Sequence, residues 1–339
     1  MHNILLIYGG RSYEHDVSVI SAVQIGELWC LEYNLIPVYM RDGTMTVVRD
    51  WRRYTSYTGQ VKGKRVRLAA GGVYIGSRYV AVDCALFATH GGEGEDGTLA
   101  ALMQYYQIPY TAADSVSSGI CMDKILCKRV LRSLGFAVVE GDAAVENAVP
   151  PLPAVCKPAR LGSSIGVGVA RTEDEWHNAY AKARLYDERV LYERFVAGAK
   201  EYNCAAVMDK GEVRLSAVER PAYSGDTYTF GDKYKKECAH ELPAQIDLAL
   251  YQEIRDTTAA VYRALGLWGV VRVDYLYDGS RLYVNEINTV PGSLSYRLFS
   301  AVGVPLGQLL NILIDNARVS PTPQVEYARL LGELVGTYK

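Results

Sequence analysis

The sequence predicts a chain of mixed α/β and α+β class that begins with an open parallel sheet. Three observations predict it. Short apolar runs alternate with helical patterns in the N-terminal third. Farther on, strand-like runs are joined by tight-turn signals, as antiparallel pairs are. Finally, 339 residues with 49% hydrophobic and 22% charged content suit a globular chain of about two to three domains.

Residues 3–8 read as a buried strand, short, apolar and closed by Gly9-Gly10. Val17, Ile20, Val23, Leu28 and Leu31 mark the apolar face of a helix. Residues 35–40 and 80–88 are two more buried strands, and a glycine-rich turn spans 90–97. Leu99, Leu102, Met103 and Tyr106 give the next helix its face. Such alternation suggests an open parallel sheet, in which ligands gather where strands end and helices begin. Beyond Pro109 the spacing predicts a helix over 123–134, with Lys124 and Lys128 one turn apart. A proline-marked connector (147–153) leads into a compact α+β lobe. Its parts are strands at 154–157, 166–170 and 190–194, a small-residue loop at 162–166 and a helix at 174–183. Residues 201–208 and 213–219 form a strand pair around Asp209-Lys210-Gly211. Residues 221–241 carry no period, and a loop of that length inside a compact domain suggests a lid. Leu248, Tyr251, Ile254, Thr258, Val261 and Leu265 share a helix face. Residues 269–277 and 281–288 flank Asp278-Gly279-Ser280, a hairpin signal.

Lys and Arg number 36 and Asp and Glu 38, a formal charge of −2. No broad basic field exists, which argues against nucleic acid or an anionic membrane as partner. No apolar run approaches the roughly 18 residues of a membrane span. The first residues lack the basic start and cleavage site of a signal peptide. The seven cysteines are scattered, with no Cys-x-x-Cys pair. A soluble, cytoplasmic protein is the expectation.

The hairpin carries the most chemistry. Strand side chains alternate, so a three-residue turn centred on Gly279 brings Asp274, Glu286 and Asn288 together beside Arg272. Polar groups that interrupt apolar strands are costly unless paired or bound to metal. Two carboxylates and an amide suit Mg²⁺ rather than zinc. A structural ion pair of Arg272 with Asp274 or Glu286 accounts equally well for the pattern. Lys157 precedes Pro158 and a loop, Gly162-Ser163-Ser164-Ile165-Gly166, of the kind that covers phosphates; a plain hairpin turn reads the same way. Glu14 stands at a helix entrance, where an acid complements the helix dipole. Walker A, dinucleotide and hydrolase-elbow motifs are absent.

Taken together, these segments resemble the D-alanine–D-alanine ligase family of the ATP-grasp superfamily. The similarity covers essentially the whole chain, in order. It includes the run from Gly9-Gly10-Arg11-Ser12 through Glu14 to Ser18, the turn from His90 to Thr98, Met122-Asp123-Lys124, and Lys157-Pro158 to Gly166. It continues with Lys233-Tyr234, the run from Gly269 through Arg272 to Asp274, and Asn285-Glu286-Ile287-Asn288-Thr289-Val290-Pro291-Gly292. The resemblance implies a three-lobed ATP-grasp fold: an N-terminal α/β substrate domain (1–112), a central lobe (113–193) and a C-terminal catalytic domain (194–339) with the lid at 221–241. It favours the metal reading of the hairpin.

It also implies roles. Lys124 and Lys157 would hold phosphates, with Glu193, Arg194 and Val196 at the adenine and hinge and Glu201 at the ribose. Lys233 would approach the γ-phosphate. Asp274, Glu286 and Asn288 would hold two Mg²⁺ ions, for which Mn²⁺ could substitute. Glu14 would bind the first amino acid's ammonium, with Ser163 and Tyr234 tying the lid across it. Arg272 and the N–H of Gly292 would hold the oxyanion. His90, Glu95, Ser295 and Arg297 would complete the substrate site. The implied activity is ATP-dependent joining of two D-alanines through an acyl phosphate, for peptidoglycan synthesis, by a homodimer.

The sequence departs from the family pattern in three places. The lid reads Tyr228-Thr229-Phe230-Gly231-Asp232 where a Tyr-Asp-Tyr element is common. Ser293-Leu294-Ser295-Tyr296-Arg297 follows Gly292, with Arg297 where a serine usually helps to hold the second substrate's carboxylate. The central lobe is short. The first two departures leave D-serine or another second substrate open. Tyr234 argues against a depsipeptide (D-lactate) product, and the set Arg272, Asp274, Glu286 and Asn288 argues against a silent nucleotide-binding protein.

Overall fold

The structure, a computed structural model, describes residues 2–29, 32–221, 240–321 and Leu331. The chain opens with β1 (Asn3–Gly9), α1 (His15–Glu27) and β2 (Asn34–Arg41). The apolar run from Ile4 to Tyr8 is fully buried, since β1 lies inside its sheet and is covered on both faces. Then come β3 (Thr44–Val48), β4 (Gly63–Ala69), β5 (Gly72–Ile75), β6 (Arg78–Ala81) and β7 (Cys84–Phe87). The order is β6-β5-β4-β3-β2-β1-β7. β2, β1 and β7 are parallel, and the other neighbours are antiparallel.

The parallel sheet expected from the sequence is thus the three-stranded part of a mixed sheet. The single strand expected over 80–88 is two strands on opposite edges. Only Val82 and Asp83 join them, a reach of roughly 10 Å. The sheet therefore curls until its edges approach. Asn3 Nδ2 donates to Ala81 O at 2.9 Å, and Asp83 N–H donates to Asn3 O at 3.0 Å.

Helices α2 (Thr98–Tyr105), α3 (Ser115–Met122) and α4 (Lys124–Ser133) lead to the second sheet. The Asp123 carboxylate caps α4, accepting from the N–H groups of Ile125 and Leu126, both at 3.0 Å. This sets Lys124 in the first turn, with Lys128 one turn farther on the same face. The sheet holds β8 (Gly141–Ala143), β9 (Ala154–Pro158), β10 (Gly168–Ala170) and, after α5 (Glu173–Arg184), β11 (Val190–Arg194). Its order is β10-β9-β11-β8, antiparallel throughout. A capping box of Thr172 and Glu175 starts α5, which buries Trp176 and Ala183 against the sheet.

The third sheet contains β12 (Lys200–Asp209), β13 (Glu212–Leu215), β14 (Val271–Tyr277) and β15 (Leu282–Asn288), with α6 (Leu248–Ala264) preceding β14. The order is β13-β12-β14-β15, again antiparallel. Leu250, Ile254 and Val261 of α6 share a core with Val271 and Val273. The strand expected over 213–219 ends at Leu215, because the Ser216 hydroxyl replaces ladder bonds, accepting from Ala205 N–H at 2.8 Å and donating to Ala217 O at 2.7 Å. Two short helices follow, α7 (Tyr296–Ser300) and α8 (Leu306–Asp315). α8 returns to the beginning of the chain: Leu309, Leu310 and Leu313 join the core that holds Ile4 to Ile7 and Phe87. Among the described residues, no helix is long and apolar enough to cross a membrane.

Candidate active site

β14 and β15 pair Arg272 with Asn288 and Asp274 with Glu286. Paired residues project to one face, so the four side chains meet, as the alternation predicts. The route differs from the expected three-residue turn. Four residues, from Asp278 to Arg281, separate the strands, ordered by the Asp278 carboxylate, which accepts from the N–H groups of Ser280 (2.9 Å) and Arg281 (2.8 Å). That length alone would turn Glu286 to the other face. A register shift beside Asp274 restores it and leaves Asn285 as the extra residue of a bulge.

Two carboxylates directly across a strand pair repel each other. Here each meets a cation. Arg272 grips Asp274 with a fork of 2.6 and 2.8 Å. Lys124 Nζ lies 2.9 Å from Glu286 Oε1 and donates to Leu161 O at 2.6 Å. Burial would discharge both cations, but Asp274 and Glu286 outweigh it and raise their pKa values. Asn288 Nδ2 donates to Asp274 Oδ2 at 3.1 Å. The ion-pair reading is therefore realised in Arg272–Asp274, on the same atoms that a metal would use. Among the described residues, no three His, Cys, Asp or Glu side chains gather to hold a metal unaided. Two carboxylates plus an amide whose oxygen is one flip away form a hard, oxygen-only set. That set fits Mg²⁺ when a phosphate-bearing ligand completes the shell.

Beside this hairpin lies a cavity of about 210 Å³ between the second and third sheets. Lys124, Lys157, Glu193, Arg194, Val196 and Glu201, the expected ATP residues among those described, all line it. At its back, Glu193 is only 3% exposed and sits between two ammonium groups. Lys157 Nζ is 2.6 Å from Oε2 and Lys128 Nζ 2.7 Å from Oε1. The Oε1 contact is one of charge, without a well-aligned hydrogen bond. Burial alone would raise the Glu193 pKa; Lys157 and Lys128 overcome it and hold the carboxyl at about 2. Lys128 pays for its own burial with a lowered pKa.

A second cavity, of about 440 Å³, lies farther along the same face of the hairpin, beside Arg272 and Asn288. It is lined by Glu14, His90, Glu95, Ser163, Arg272, Asp274, Asn288, Gly292, Ser295 and Arg297. Glu201, Asn285 and Glu286 line both cavities. Ser163 Oγ donates a short hydrogen bond to Glu14. Glycines leave room for that carboxylate: a Cβ at Gly91 (φ +63) or at Gly162 would come within 2.8 Å of Glu14 Oε2.

The segment after β15 forms one wall. Ser293, Leu294 and Ser295 take φ values of 47, 55 and 49°, all left-handed, at roughly 1–2 kcal/mol each for residues with a Cβ. Groups from the first hundred residues of the chain hold its beginning. Val290 N–H donates to Glu95 Oε1 at 2.9 Å, and Val290 O lies 2.7 Å from His90 Nδ1. Ser293 N–H donates to Ser21 Oγ at 3.1 Å and Ser293 Oγ–H to Gln24 Oε1 at 2.6 Å. His90 and Glu95, expected at the substrate, line the cavity, but their side chains are taken up by protein groups: His90 by Val290 and Ser21, Glu95 by the N–H groups of Val290 and Gly91. Ser295 is buried, and Arg297 is exposed at the cavity mouth. Lys233, Tyr234 and most of the expected lid (221–241) lie outside the described residues.

Sequence reasoning missed the roles of Lys128, Asn285, Ser21 and Gln24. A signal for the last two exists. Glu14, Ser18, Ser21 and Gln24 recur at helical spacing as a polar stripe among the apolar residues Val17, Val19, Ile20, Ala22 and Val23.

Three sheets around a cleft, with lysines on one wall and paired carboxylates at its centre, define an ATP-grasp carboxylate–amine ligase. The chain belongs to the D-alanine–D-alanine ligase family. Residues 3–113 match the family model described as D-ala D-ala ligase N-terminus, and residues 138–315 match D-ala D-ala ligase C-terminus. The chain is 30% identical to a D-alanine–D-alanine ligase of Thermosipho melanesiensis, over 93% of each protein. It is 33% identical to a putative D-alanine–D-lactate ligase of Streptomyces coelicolor, over 90% of this chain and 94% of that one. Among solved structures it resembles the VanG D-Ala:D-Ser ligase of Enterococcus faecalis, with a TM-score of 0.81 and 26% identity over 93% of this chain and 98% of that one.

Proposed function

We propose that the protein joins two D-alanines at the expense of ATP, giving D-alanyl-D-alanine for peptidoglycan. The observation that carries this reading is Glu286, which lines both the lysine-walled cavity and the cavity holding Glu14 and Arg272. A terminal phosphate entering from one side would meet a carboxylate substrate entering from the other.

Each residue then has a task. Lys124 and Lys157 leave Glu286 and Glu193 to hold the phosphates, while Lys128 keeps Glu193 neutralised. Glu14 takes the ammonium of the first D-alanine, oriented by Ser163. The substrate's carboxylate oxygen attacks the γ-phosphorus, ADP leaves and an acyl phosphate forms. The amine of the second D-alanine attacks the acyl carbon and loses a proton, and phosphate departs. Arg272 and the N–H of Gly292 stabilise the tetrahedral oxyanion between these events. Asp274, Glu286 and Asn288 would hold Mg²⁺, or Mn²⁺, which supplies positive charge against the phosphates. Lys233 and Tyr234 complete the reading from the lid. A cytoplasmic homodimer is part of it, the dimer by family resemblance and the compartment because ATP is the donor.

A second reading concerns the second substrate. The names of relatives give D-alanine, D-serine and D-lactate as the second partner, and Arg297 stands where a serine is usual. The test is mass spectrometry of products formed from ATP, D-alanine and a panel of D-amino and D-hydroxy acids. A D-alanine dimer as main product supports the first reading. D-Ala-D-Ser or a depsipeptide as main product replaces it, and absence of ADP formation with every acid refutes both.

A further inference from the structure

The hydrogen bonds around Gly292 close into a ring that no role above requires. Val290 O can only accept, so His90 Nδ1 carries the proton and donates to it. Nε2 of the same ring is then an acceptor, 2.8 Å from Ser21 Oγ. The Ser21 hydroxyl therefore donates to His90, and its lone pair accepts the Ser293 N–H at 3.1 Å. Every donor in the chain has one acceptor, and the chain leaves the backbone at Val290 and rejoins it at Ser293. Between these points stand Pro291 and Gly292. Gln24 adds a second tie, to the Ser293 hydroxyl. Ser21 is almost wholly buried, and the backbone that it holds enters three left-handed residues that need outside support.

We propose that Ser21, through His90 and with Gln24, is a positioning residue that sets the N–H of Gly292 for the oxyanion of the second half-reaction. The inference rests on the ligase reading above. Ser21 touches no reacting atom. It joins α1 of the N-terminal domain to the wall that follows β15, so the domain that grips the first substrate also aims the donor used when the second attacks. The first half-reaction, transfer of the γ-phosphoryl group to the carboxylate, does not use that donor. The two steps are therefore separable by experiment.

The test compares Ser21→Ala, Ser21→Thr and Gln24→Met in the full chain. Dipeptide formation reads the second step. Positional isotope exchange in γ-¹⁸O-labelled ATP, with D-alanine, reads acyl phosphate formation. Misplacing one oxyanion donor should lower kcat for dipeptide about ten- to hundredfold in Ser21→Ala. Isotope exchange and the KM values for ATP and the first D-alanine should stay within about twofold. Ser21→Thr keeps the hydroxyl and should recover most of the rate. Gln24→Met, which keeps size and loses the acceptor, should give a smaller drop of the same kind. If Ser21→Ala does not fold, Gln24→Met decides by the same two readings. A kcat within about twofold of wild type overturns the proposal. So does a parallel fall in both readings, which marks a purely structural role. A wild-type protein that shows neither isotope exchange nor ADP formation refutes the ligase reading itself, and this proposal with it.

Discussion

Glu193→Gln removes the one anion between Lys128 and Lys157 and leaves two buried ammonium groups facing each other. The magnitude follows from the carboxyl, which sits at about 2 against an ordinary value of 4.5. At about 1.4 kcal/mol per pH unit, ionised Glu193 contributes about 3 kcal/mol at neutral pH. That matches the roughly 3–5 kcal/mol lost when one member of a buried pair is deleted. For a 339-residue chain the entropy of unfolding is about 0.7 kcal/mol/K, so the variant should melt about 4 °C lower. Calorimetry of the ligand-free protein reads this directly. The sign with pH is fixed as well. A depressed carboxyl stabilises fully above its unfolded value and loses that contribution as pH falls through its folded one. The gap between variant and wild type should therefore close between 4.5 and about 2. Lys128→Met should cost less than Glu193→Gln, since burial already weakens that cation. The double variant should cost less than the sum, because it removes the surplus charge together with its partner. A Glu193→Gln melting point within about 1 °C of wild type would refute the reasoning.

Three other perturbations probe the rest of the site. Glu286→Gln should reduce D-alanine-dependent ATPase at least about a hundredfold while the protein still folds; wild-type turnover with saturating Mg²⁺ would exclude Glu286 from the metal and phosphate site. If Arg297 grips the second substrate's carboxylate, Arg297→Ala should lower second-site kcat/KM roughly ten- to a hundredfold with ATP affinity unchanged, whereas an effect in Ser295→Ala alone would assign the contact to the buried serine. Burial, with Glu14 nearby, pushes Glu95 up to about 8, against the pull of the N–H groups of Gly91 and Val290. A carboxyl raised by folding stabilises fully below its unfolded value and loses that contribution as pH rises through its folded one. Glu95→Gln should therefore flatten the decline in melting temperature between about pH 5 and about pH 8, and an unaltered slope would count against a protonated Glu95.

The parts of the fold legible in the sequence were those with strong periodicity. β1, β2, α6 and the β14–β15 hairpin have apolar patterns long enough to read. Strands β3, β5 and β6 are only four or five residues long, and β4 carries Lys64, Arg65 and Arg67, so hydrophobicity does not reveal them. Their turns do. Asp42-Gly43, Ala70-Gly71 and Gly76-Ser77 are two-residue links between antiparallel neighbours, a signal that outweighs weak strand propensity. The site was legible where alternation governs it, although the turn and the bulge at Asn285 erred in opposite directions and cancelled. Ser21, Gln24 and Lys128 were not legible as a set, because their partners lie far away in sequence. Only the tertiary structure brings α1 to the wall after β15, or Lys128 to Glu193.

The return of α8 to the first core bears on how the chain is made. Strand β7 ends at Phe87 and α8 begins at Leu306, so a ribosome adds about 220 residues between them. At roughly 5–20 residues per second, the nascent N-terminal sheet waits some tens of seconds with one apolar face incomplete. An apolar face left open for that long is the kind of surface that holding chaperones cover. Substitutions at Leu309, Leu310 or Leu313 should accordingly lower soluble yield in the cell more than they lower the melting temperature of the protein that survives.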